Sequence, residues 1–160
     1  MFNFYKQKLL LLILLFTILQ AQEPNEYKYK QYCNARFDYC VLYPTSFGMR
    51  PPSYNDDGRK FYDNFGLELL VYGGYNVLDK TLLQEMEEEF TKITYSQQKA
   101  NWYVLSGYKD DKIIYMKTYL KYGIFHHLSI TYPASEKGDY NLLVKEVSKS
   151  FMPPKSEPFG

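Results

Sequence analysis

The sequence predicts an α+β domain in which an antiparallel β-sheet is flanked by two helices. Three segments between residues 102 and 133 are rich in β-branched and aromatic residues and are separated by short turns, which is typical of an antiparallel meander. Two further segments, 79–93 and 139–151, repeat apolar residues at helical spacing. With 160 residues, the chain is long enough for one domain with a substantial core.

The two turns of the meander predict which strand residues face each other. Asp110-Asp111 favours a two-residue turn, because Asp tolerates the left-handed conformation, and this turn pairs Leu105 with Met116. We expect a three-residue loop at 121–123, which pairs Met116 with Leu128. Both registers then place the apolar residues on one face: Tyr103, Leu105, Ile114, Met116, Leu120, Ile124, Leu128 and Ile130. The reverse face is aromatic and amphipathic, which predicts that another element covers part of it.

The N-terminal residues predict export. Lys6 and Lys8 precede an apolar run at 9–19, and Ala21 follows it, which is typical of a secretory signal peptide over residues 1–21. An uncleaved anchor is the alternative, but the run is shorter than the roughly 20 residues that span a bilayer. We expect a tether at 22–26, a single domain at 27–152 and a frayed tail at 153–160. The mature protein is then periplasmic or extracellular and not an integral membrane protein.

Two cysteines predict a disulfide. Cys33 and Cys40 are close in sequence, and in an exported protein such a pair favours a bond across a hairpin. Two cysteines alone do not form a structural zinc site, and the spacing is not the Cys-x-x-Cys of redox proteins. The strand at 27–32 carries lysines, which is typical of a sheet edge.

Capping and periodicity predict where the helices lie. Asp79 is a good N-cap, and Leu78 can pack on Leu83 as a hydrophobic staple. The apolar stripe of this first helix is Leu83, Met86, Phe90 and Ile93. Asp139 is the predicted cap of the second helix, whose buried side is Tyr140, Leu143, Val144, Val147 and Phe151.

One segment resembles a known family. Residues 37–47, Phe-Asp-Tyr-Cys-Val-Leu-Tyr-Pro-Thr-Ser-Phe, resemble the opening of PsbP/Mog1-like domains, although Phe47 replaces the more usual Trp. Residues 55–59 are similar to a Gly-Asp-Gly-Arg-type turn of exported bacterial proteins of unassigned function, with Asp56 in place of the first Gly. The resemblance implies an α/β/α sandwich. It implies no particular activity, because members of that superfamily bind very different partners.

Charge and composition limit the classes of ligand. The formal net charge is +1, and removal of the leader makes the chain slightly acidic, so we expect no nucleic-acid partner. Eighteen Tyr and eleven Phe have two interpretations. Tyr serves as the strand former of a β-rich fold, or the rings form an exposed surface on which sugars stack.

No catalytic motif is present, so the sequence favours a non-catalytic binding or accessory module of the cell envelope, without cofactor or metal. Its expected partner is an envelope protein, a peptide or a glycan. The candidate binding residues are Trp102, Tyr115, Lys117, Tyr119 and His127, with Asp56, Asp57 and Arg59 as a second group.

Three alternatives remain open at this stage. The first is a carbohydrate-binding module that uses surface Trp and Tyr residues. The second is a small secreted hydrolase in which His127 activates a nearby serine, Ser106 or Ser129. The third is a calcium loop at 53–64, which has Asn64 where an EF-hand requires a bidentate Glu.

Overall fold

The structure is a computed structural model that describes residues 27–85 and 90–154. The predicted signal peptide and tether, and most of the predicted tail, lie outside these ranges. The strands within them are β1 Tyr29–Asn34, β2 Tyr39–Pro44, β3 Gly48–Met49, β4 Gly58–Tyr62, β5 Glu68–Tyr75, β6 Lys92–Gln98, β7 Trp102–Lys109, β8 Lys112–Lys121 and β9 Ile124–Pro133. The helices are α1 Leu82–Glu85 and α2 Lys137–Ser150, and a 3-10 turn, Ala134–Glu136, precedes α2. Neither described helix has the length and apolar character needed to cross a bilayer.

The strands form one large sheet and one separate hairpin. Seven antiparallel strands follow the order β3-β4-β5-β9-β8-β7-β6, and β1 pairs with β2 alone. The predicted α+β class is therefore confirmed. The predicted place of the first strand at the sheet edge is wrong, because the hairpin packs over the sheet instead of joining it.

The predicted disulfide is confirmed. Cys33 and Cys40 face each other across the β1–β2 hairpin, and their sulfur atoms are 2.06 Å apart. The hairpin packs on α2, and Met152 donates its N–H to the Cys40 carbonyl. The disulfide thus fixes the β1–β2 hairpin, through which the N-terminal part of the domain contacts α2 and Met152 near its C-terminal end.

We expect replacement of both cysteines by serine to lower the free energy of unfolding by about 2–3 kcal/mol, because the unfolded chain gains loop entropy. Urea denaturation of the variant and of the oxidised wild type measures this difference. Reduced wild type is the control and should match the variant. Equal stability of the oxidised protein and the variant would contradict a stabilising role for the bond.

The first predicted turn of the meander is confirmed, and the second is wrong. Lys109 faces Lys112, and Asp110 adopts the left-handed conformation with φ of 54°. The second turn has two residues, not three, because Tyr122 and Gly123 both have positive φ, 52° and 69°. This type I′ geometry matches the twist of the strands. A left-handed tyrosine costs about 1–2 kcal/mol, which the burial of β9 outweighs.

The shorter turn reverses the predicted faces of β9. Met116 faces Ser129, and Leu128 faces Lys117, so Met116 and Leu128 point to opposite sides of the sheet. Ile124 and Ile130 also leave the predicted apolar face, because a shift of one residue moves every side chain of a strand to the other side. The single apolar face predicted for the meander is therefore wrong. Both faces carry apolar residues.

One face of the sheet packs against α2 and the hairpin, and we call it the α2 face. Its largest contributions come from β4, β5 and β9, which bury Phe61, Leu69, Val71, Leu128 and Ile130. The predicted buried side of the second helix is confirmed: Tyr140, Leu143, Val144, Val147 and Phe151. The helix begins at Lys137, so Asp139 lies in its first turn and is not the predicted cap.

The other face carries α1, and we call it the α1 face. A small core forms there from Leu82, Tyr103, Leu105 and Phe125, with Phe90 and Leu120 packed against it. The described part of α1 is much shorter than the predicted helix, and Ile93 belongs to strand β6. Met86 of the predicted stripe lies outside the described residues.

The predicted start of the first helix is also wrong. Thr81 caps it, since its Oγ1 accepts the Gln84 N–H at 3.3 Å while the Gln84 side chain accepts the Thr81 N–H at 2.8 Å. Asp79 adopts the left-handed conformation with φ of 49°. Leu78 and Leu83 are both exposed, so the predicted staple does not form, and Leu82 packs into the core instead.

Candidate functional site

Two adjoining cavities lie on the α1 face, over the half of the sheet formed by β4, β5 and β9. They share Tyr72 as a common wall, and we call them together the Tyr72 groove. α1 lies beside the end near β9, and α2 lies on the opposite face. The groove is therefore bounded on one side by the sheet itself.

The first cavity has a volume of ≈ 430 Å³ and a floor of sheet residues. The floor is Gly58, Lys60, Leu70 and Tyr72, which share the α1 face by strand register. Pro51, Pro52, Ser53 and Asp57 from the loop before β4 form its wall. A Cβ at Gly58 would lie 2.2 Å from the Val71 carbonyl oxygen and 2.6 Å from the Tyr72 Cβ. Only glycine therefore lets β4 approach the tyrosine this closely.

The second cavity has a volume of ≈ 240 Å³, a floor that includes the titratable His127, and an apolar rim. Gly74, Phe125 and His127 form the floor, while Lys80 and Glu85 stand at one side. The rim is Tyr75, Val77 and Leu78, whose exposed fractions are 50%, 84% and 75%. The Asn76 side chain bonds both the N–H and the carbonyl of Lys80 at 2.8 Å and so closes the rim loop.

His127 fixes the orientation of Tyr72. The two rings stack with their centroids 4.5 Å apart and an interplanar angle of 22°. His127 is 4% exposed, and its Nδ1 lies 2.9 Å from the Oγ1 of fully buried Thr118. Since the imidazole has little freedom, it holds the tyrosine ring between the two cavities.

Burial keeps His127 neutral. Desolvation, with a smaller contribution from His126, lowers the pKa of His127 to about 4. The Glu85 carboxylate favours the charged form, but its Oε1 is 3.7 Å from the imidazole Nε2, and its other oxygen pairs with Lys80 at 3.2 Å. Desolvation therefore outweighs the carboxylate.

The cations along the Tyr72 groove are paired with acids. Lys60 lies 3.3 Å from Glu68, and Lys80 lies 3.2 Å from Glu85. Arg59 comes from the α2 side of β4, where its guanidinium lies 3.7 Å from Asp56 and over the Tyr32 ring at 5.4 Å. Each of these three cations thus has a carboxylate partner, which leaves donors and acceptors at the sides of the groove.

The structure brings together only part of the predicted site. Asp57 and Arg59 line the first cavity, His127 lines the second, and Asp56 supports Arg59. Four other predicted residues occupy the α2 face, where register places Trp102 opposite Tyr119 and Lys117 opposite Leu128: Trp102, Tyr115, Lys117 and Tyr119.

Helix α2 covers much of the four predicted residues on the α2 face. Lys117 donates from its Nζ to the Ser148 carbonyl at 2.8 Å, and Tyr119 packs on Phe151 with the centroids 6.0 Å apart. The prediction that these residues share a face with His127 is therefore wrong, because the β9 register differs.

The predicted three-residue loop places His126 opposite Thr118, whereas in the structure His127 takes that position. His126 faces Tyr119 and is fully buried on the α2 face. Its Nε2 donates to the Phe37 carbonyl at 3.1 Å, and burial lowers its pKa. His126 is thus a structural residue that ties the hairpin to the sheet.

The hydroxyl groups around His127 also differ from the prediction. Ser106 faces Tyr115 on the α2 face, so it does not lie beside His127. Ser129 lies on the α1 face with His127, but the hydroxyl that contacts the imidazole belongs to Thr118. A fully buried threonine is out of reach of an external substrate.

Sequence reasoning missed Tyr72, Lys60, Leu70 and Glu85. The pairing of β5 with β9 places Tyr72 opposite His127, although the two residues are 55 positions apart in the sequence. An alternating pattern over β4 and β5 was the only signal available, and it does not identify the strand that pairs with them.

A third cavity, of ≈ 400 Å³, lies beside the start of α2 and is lined by acidic and aromatic residues. Two of its carboxylates, Asp63 and Glu136, have structural partners. Asp63 accepts the N–H groups of Phe65 and Leu67 at 2.8 Å and the Tyr140 hydroxyl, and Glu136 accepts the Ser135 hydroxyl. Asp63 therefore closes the β4–β5 turn and anchors α2.

Metal binding has no support in the described ranges. They contain no group of three or more His, Cys, Asp or Glu residues placed to hold a metal ion. In the loop considered for calcium, Ser53 donates to the Asp57 carboxylate and accepts the Asp57 N–H at 3.2 Å. These groups form a turn with one another.

Solved structures share this fold. The solution structure of cyanobacterial PsbP (CyanoP) from Synechocystis has a TM-score of 0.60 and 14% sequence identity, over 85% of this chain and 99% of that chain. A crystal structure from Bacteroides thetaiotaomicron has a TM-score of 0.53 and 15% identity, over 79% of this chain and 49% of that chain. No family model and no curated protein matches the sequence. The chain has a PsbP-like fold, as the resemblance implied, and identity this low concerns the fold alone.

Proposed function

We propose that this PsbP-like domain is a non-catalytic binding module of the cell envelope, and that an uncharged glycan binds in the Tyr72 groove. The observation that carries the proposal is the fixed Tyr72 ring between two cavities, on a part of the sheet that neither described helix covers. The disulfide and the predicted signal peptide support an exported location, since such bonds persist in oxidising compartments.

The form of the groove suits a chain of linked rings. Two cavities of ≈ 430 and ≈ 240 Å³ meet at Tyr72, and because His127 stacks on one face of its ring, a sugar unit packs against the other face. An aromatic ring offers an apolar surface to the C–H face of a sugar. Because His127 already fixes the ring, binding costs little side-chain entropy.

Charge favours a neutral ligand. Lys60 and Lys80 are both paired with glutamates, so an anionic polymer would have to displace these partners. The same charged groups can accept and donate hydrogen bonds to sugar hydroxyls without losing each other.

A protein ligand is a second candidate, because the rim residues Val77 and Leu78 are exposed apolar side chains, 84% and 75% accessible. Exposed apolar side chains that lie together are typical of protein–protein contacts. This partner would bind at the second cavity, and its affinity would not depend on the residues that form the floor of the first cavity.

Hydrolysis by His127 has weaker support. The imidazole is neutral in the physiological range, as a general base must be, but the hydroxyl that it contacts is that of buried Thr118. Its stack on Tyr72 indicates that it positions the ring.

Titration calorimetry with neutral oligosaccharides tests the proposal. We expect Tyr72→Ala to weaken binding about tenfold or more, since loss of a stacked aromatic removes on the order of 1–2 kcal/mol. Tyr72→Phe should retain most of the affinity. Tyr119→Ala is the matched control, because it truncates a half-buried tyrosine on the α2 face and should leave affinity unchanged.

Circular dichroism establishes that each variant is folded. Loss of affinity in Tyr119→Ala but not in Tyr72→Ala would contradict the location of the site. Release of reducing ends from the oligosaccharides by the wild type would contradict a non-catalytic role.

A further inference from the structure

Strand β6 is an edge strand that no described element covers. It pairs with β7 alone, and all seven of its residues, Lys92–Gln98, are exposed. Natural proteins protect such edges with prolines, inward-pointing charges or covering loops, because unpaired strand edges associate readily. β6 has no proline, and its one charged residue, Lys92, lies at its end.

The ladder between β6 and β7 shows which backbone groups point outward. Lys99 donates its N–H to the Trp102 carbonyl at 2.8 Å across the connecting turn. Hydrogen-bonded and non-bonded pairs alternate along an antiparallel ladder. Tyr95 and Gln97 therefore direct their N–H and C=O groups toward β7, while Ser96 and Gln98 direct theirs away from the sheet.

A bulge limits the part of the edge that can pair. The register shifts between Ile93 and Tyr95, which bends the strand at that point. The regular segment is therefore 95–99, and its outward groups are those of Ser96 and Gln98.

We propose that this segment pairs with the same segment of a second copy of the chain, antiparallel and around a two-fold axis at Gln97. Ser96 of each copy then exchanges backbone hydrogen bonds with Gln98 of the other. The two seven-stranded sheets become one continuous sheet, and the interface is isologous, so the association stops at a dimer.

Charge complementarity favours a second copy. In this register Lys99 of each copy lies opposite Tyr95 of the other, where an ammonium group over a half-exposed ring is attractive. The two Lys92 residues lie beyond the paired segment at opposite ends of the interface. Like charges therefore do not meet.

Sedimentation velocity over a range of concentrations tests the dimer. We expect a reversible monomer–dimer equilibrium in the wild type. Gln97→Lys places two like charges at the axis and should weaken association about tenfold or more, and Gln97→Glu should do the same. An equimolar mixture of these two variants should recover the dimer.

Two further variants separate the edge from other surfaces. Ser96→Pro removes an outward N–H without breaking the β6–β7 ladder, so it should abolish the dimer and leave the monomer folded. Ser135→Lys adds the same charge as Gln97→Lys at an exposed position outside the edge, and should leave the dimer intact.

Three results would overturn the proposal. The first is a dimer that survives both Ser96→Pro and Gln97→Lys, and the second is a monomer at every concentration. The third is slow amide exchange of Ser96 and Gln98 in dilute monomer, which would mean that another segment of the same chain covers the edge.

Discussion

Phe61→Ala is expected to lower the free energy of unfolding by about 3–5 kcal/mol, the usual cost of truncating a buried phenylalanine. Phe61 is fully buried and connects the large sheet to the separate hairpin. Its ring stacks on Tyr43 with the centroids 4.3 Å apart and meets Tyr32 edge-on at 5.6 Å. Removal of the ring leaves both tyrosines without their partner on the sheet.

Urea denaturation measures this loss, and Phe65→Ala is the matched control. Phe65 lies in the neighbouring turn and is 77% exposed, so its truncation should change stability by no more than about 0.5 kcal/mol. A cost below about 1 kcal/mol for Phe61→Ala would show that the hairpin does not depend on this contact.

Acidification is expected to destabilise the protein through His127. Its pKa falls from an ordinary value of 6.5 to about 4 in the folded state, so the unfolded chain binds the proton more readily. The stabilisation is fully present above pH 6.5 and is lost as the pH falls toward 4. At about 1.4 kcal/mol for each pKa unit, the loss between pH 7 and pH 4.5 is about 2–3 kcal/mol.

Other groups titrate over the same range, so the comparison with His127→Gln isolates this contribution. Buried His126, whose pKa is also lowered, remains in both proteins. The wild type should lose about 2–3 kcal/mol more than the variant between pH 7 and pH 4.5 in urea denaturation. Parallel pH profiles for the two proteins would contradict the neutral, desolvated state of His127.

The strands of the meander and its first turn could be predicted from the sequence, but the assignment of side chains to the two faces of the sheet could not. Turn chemistry identified the first hairpin of the meander, because Asp110 is a residue type that commonly adopts positive φ. Tyr122 is not such a type, and its left-handed conformation shortened the second turn by one residue. One residue was sufficient to exchange the surroundings of His126 and His127.

The helical spacing of apolar residues predicted a single helix over 79–93, whereas the structure has strand β6 from Lys92 onward. Apolar residues at Leu83 and Ile93 fit a helical stripe, yet Leu83 is exposed and Ile93 lies in an edge strand. The spacing does not distinguish one long helix from a short helix followed by a strand. The contact of Leu82 with the small core of the α1 face decides the orientation of α1.

The candidate site depends on contacts that local patterns do not encode. Asp57, Arg59 and His127 were predicted as separate candidates, and the structure places them along one groove. Tyr72 joins the two cavities only because β5 pairs with β9, across a long separation in sequence. The aromatic residues of the meander were the stronger sequence signal for a binding surface, but helix α2 packs over the face of the sheet on which they lie.

Nuclear magnetic resonance mapping of a neutral oligosaccharide titration tests the central claim most directly. We expect the largest chemical-shift changes in the amides of Leu70, Tyr72 and Lys60, which form the floor of the first cavity. Shift changes confined to Trp102, Tyr115 and Tyr119 on the α2 face, with no shift change in the residues of the Tyr72 groove, would contradict binding of the glycan in this groove.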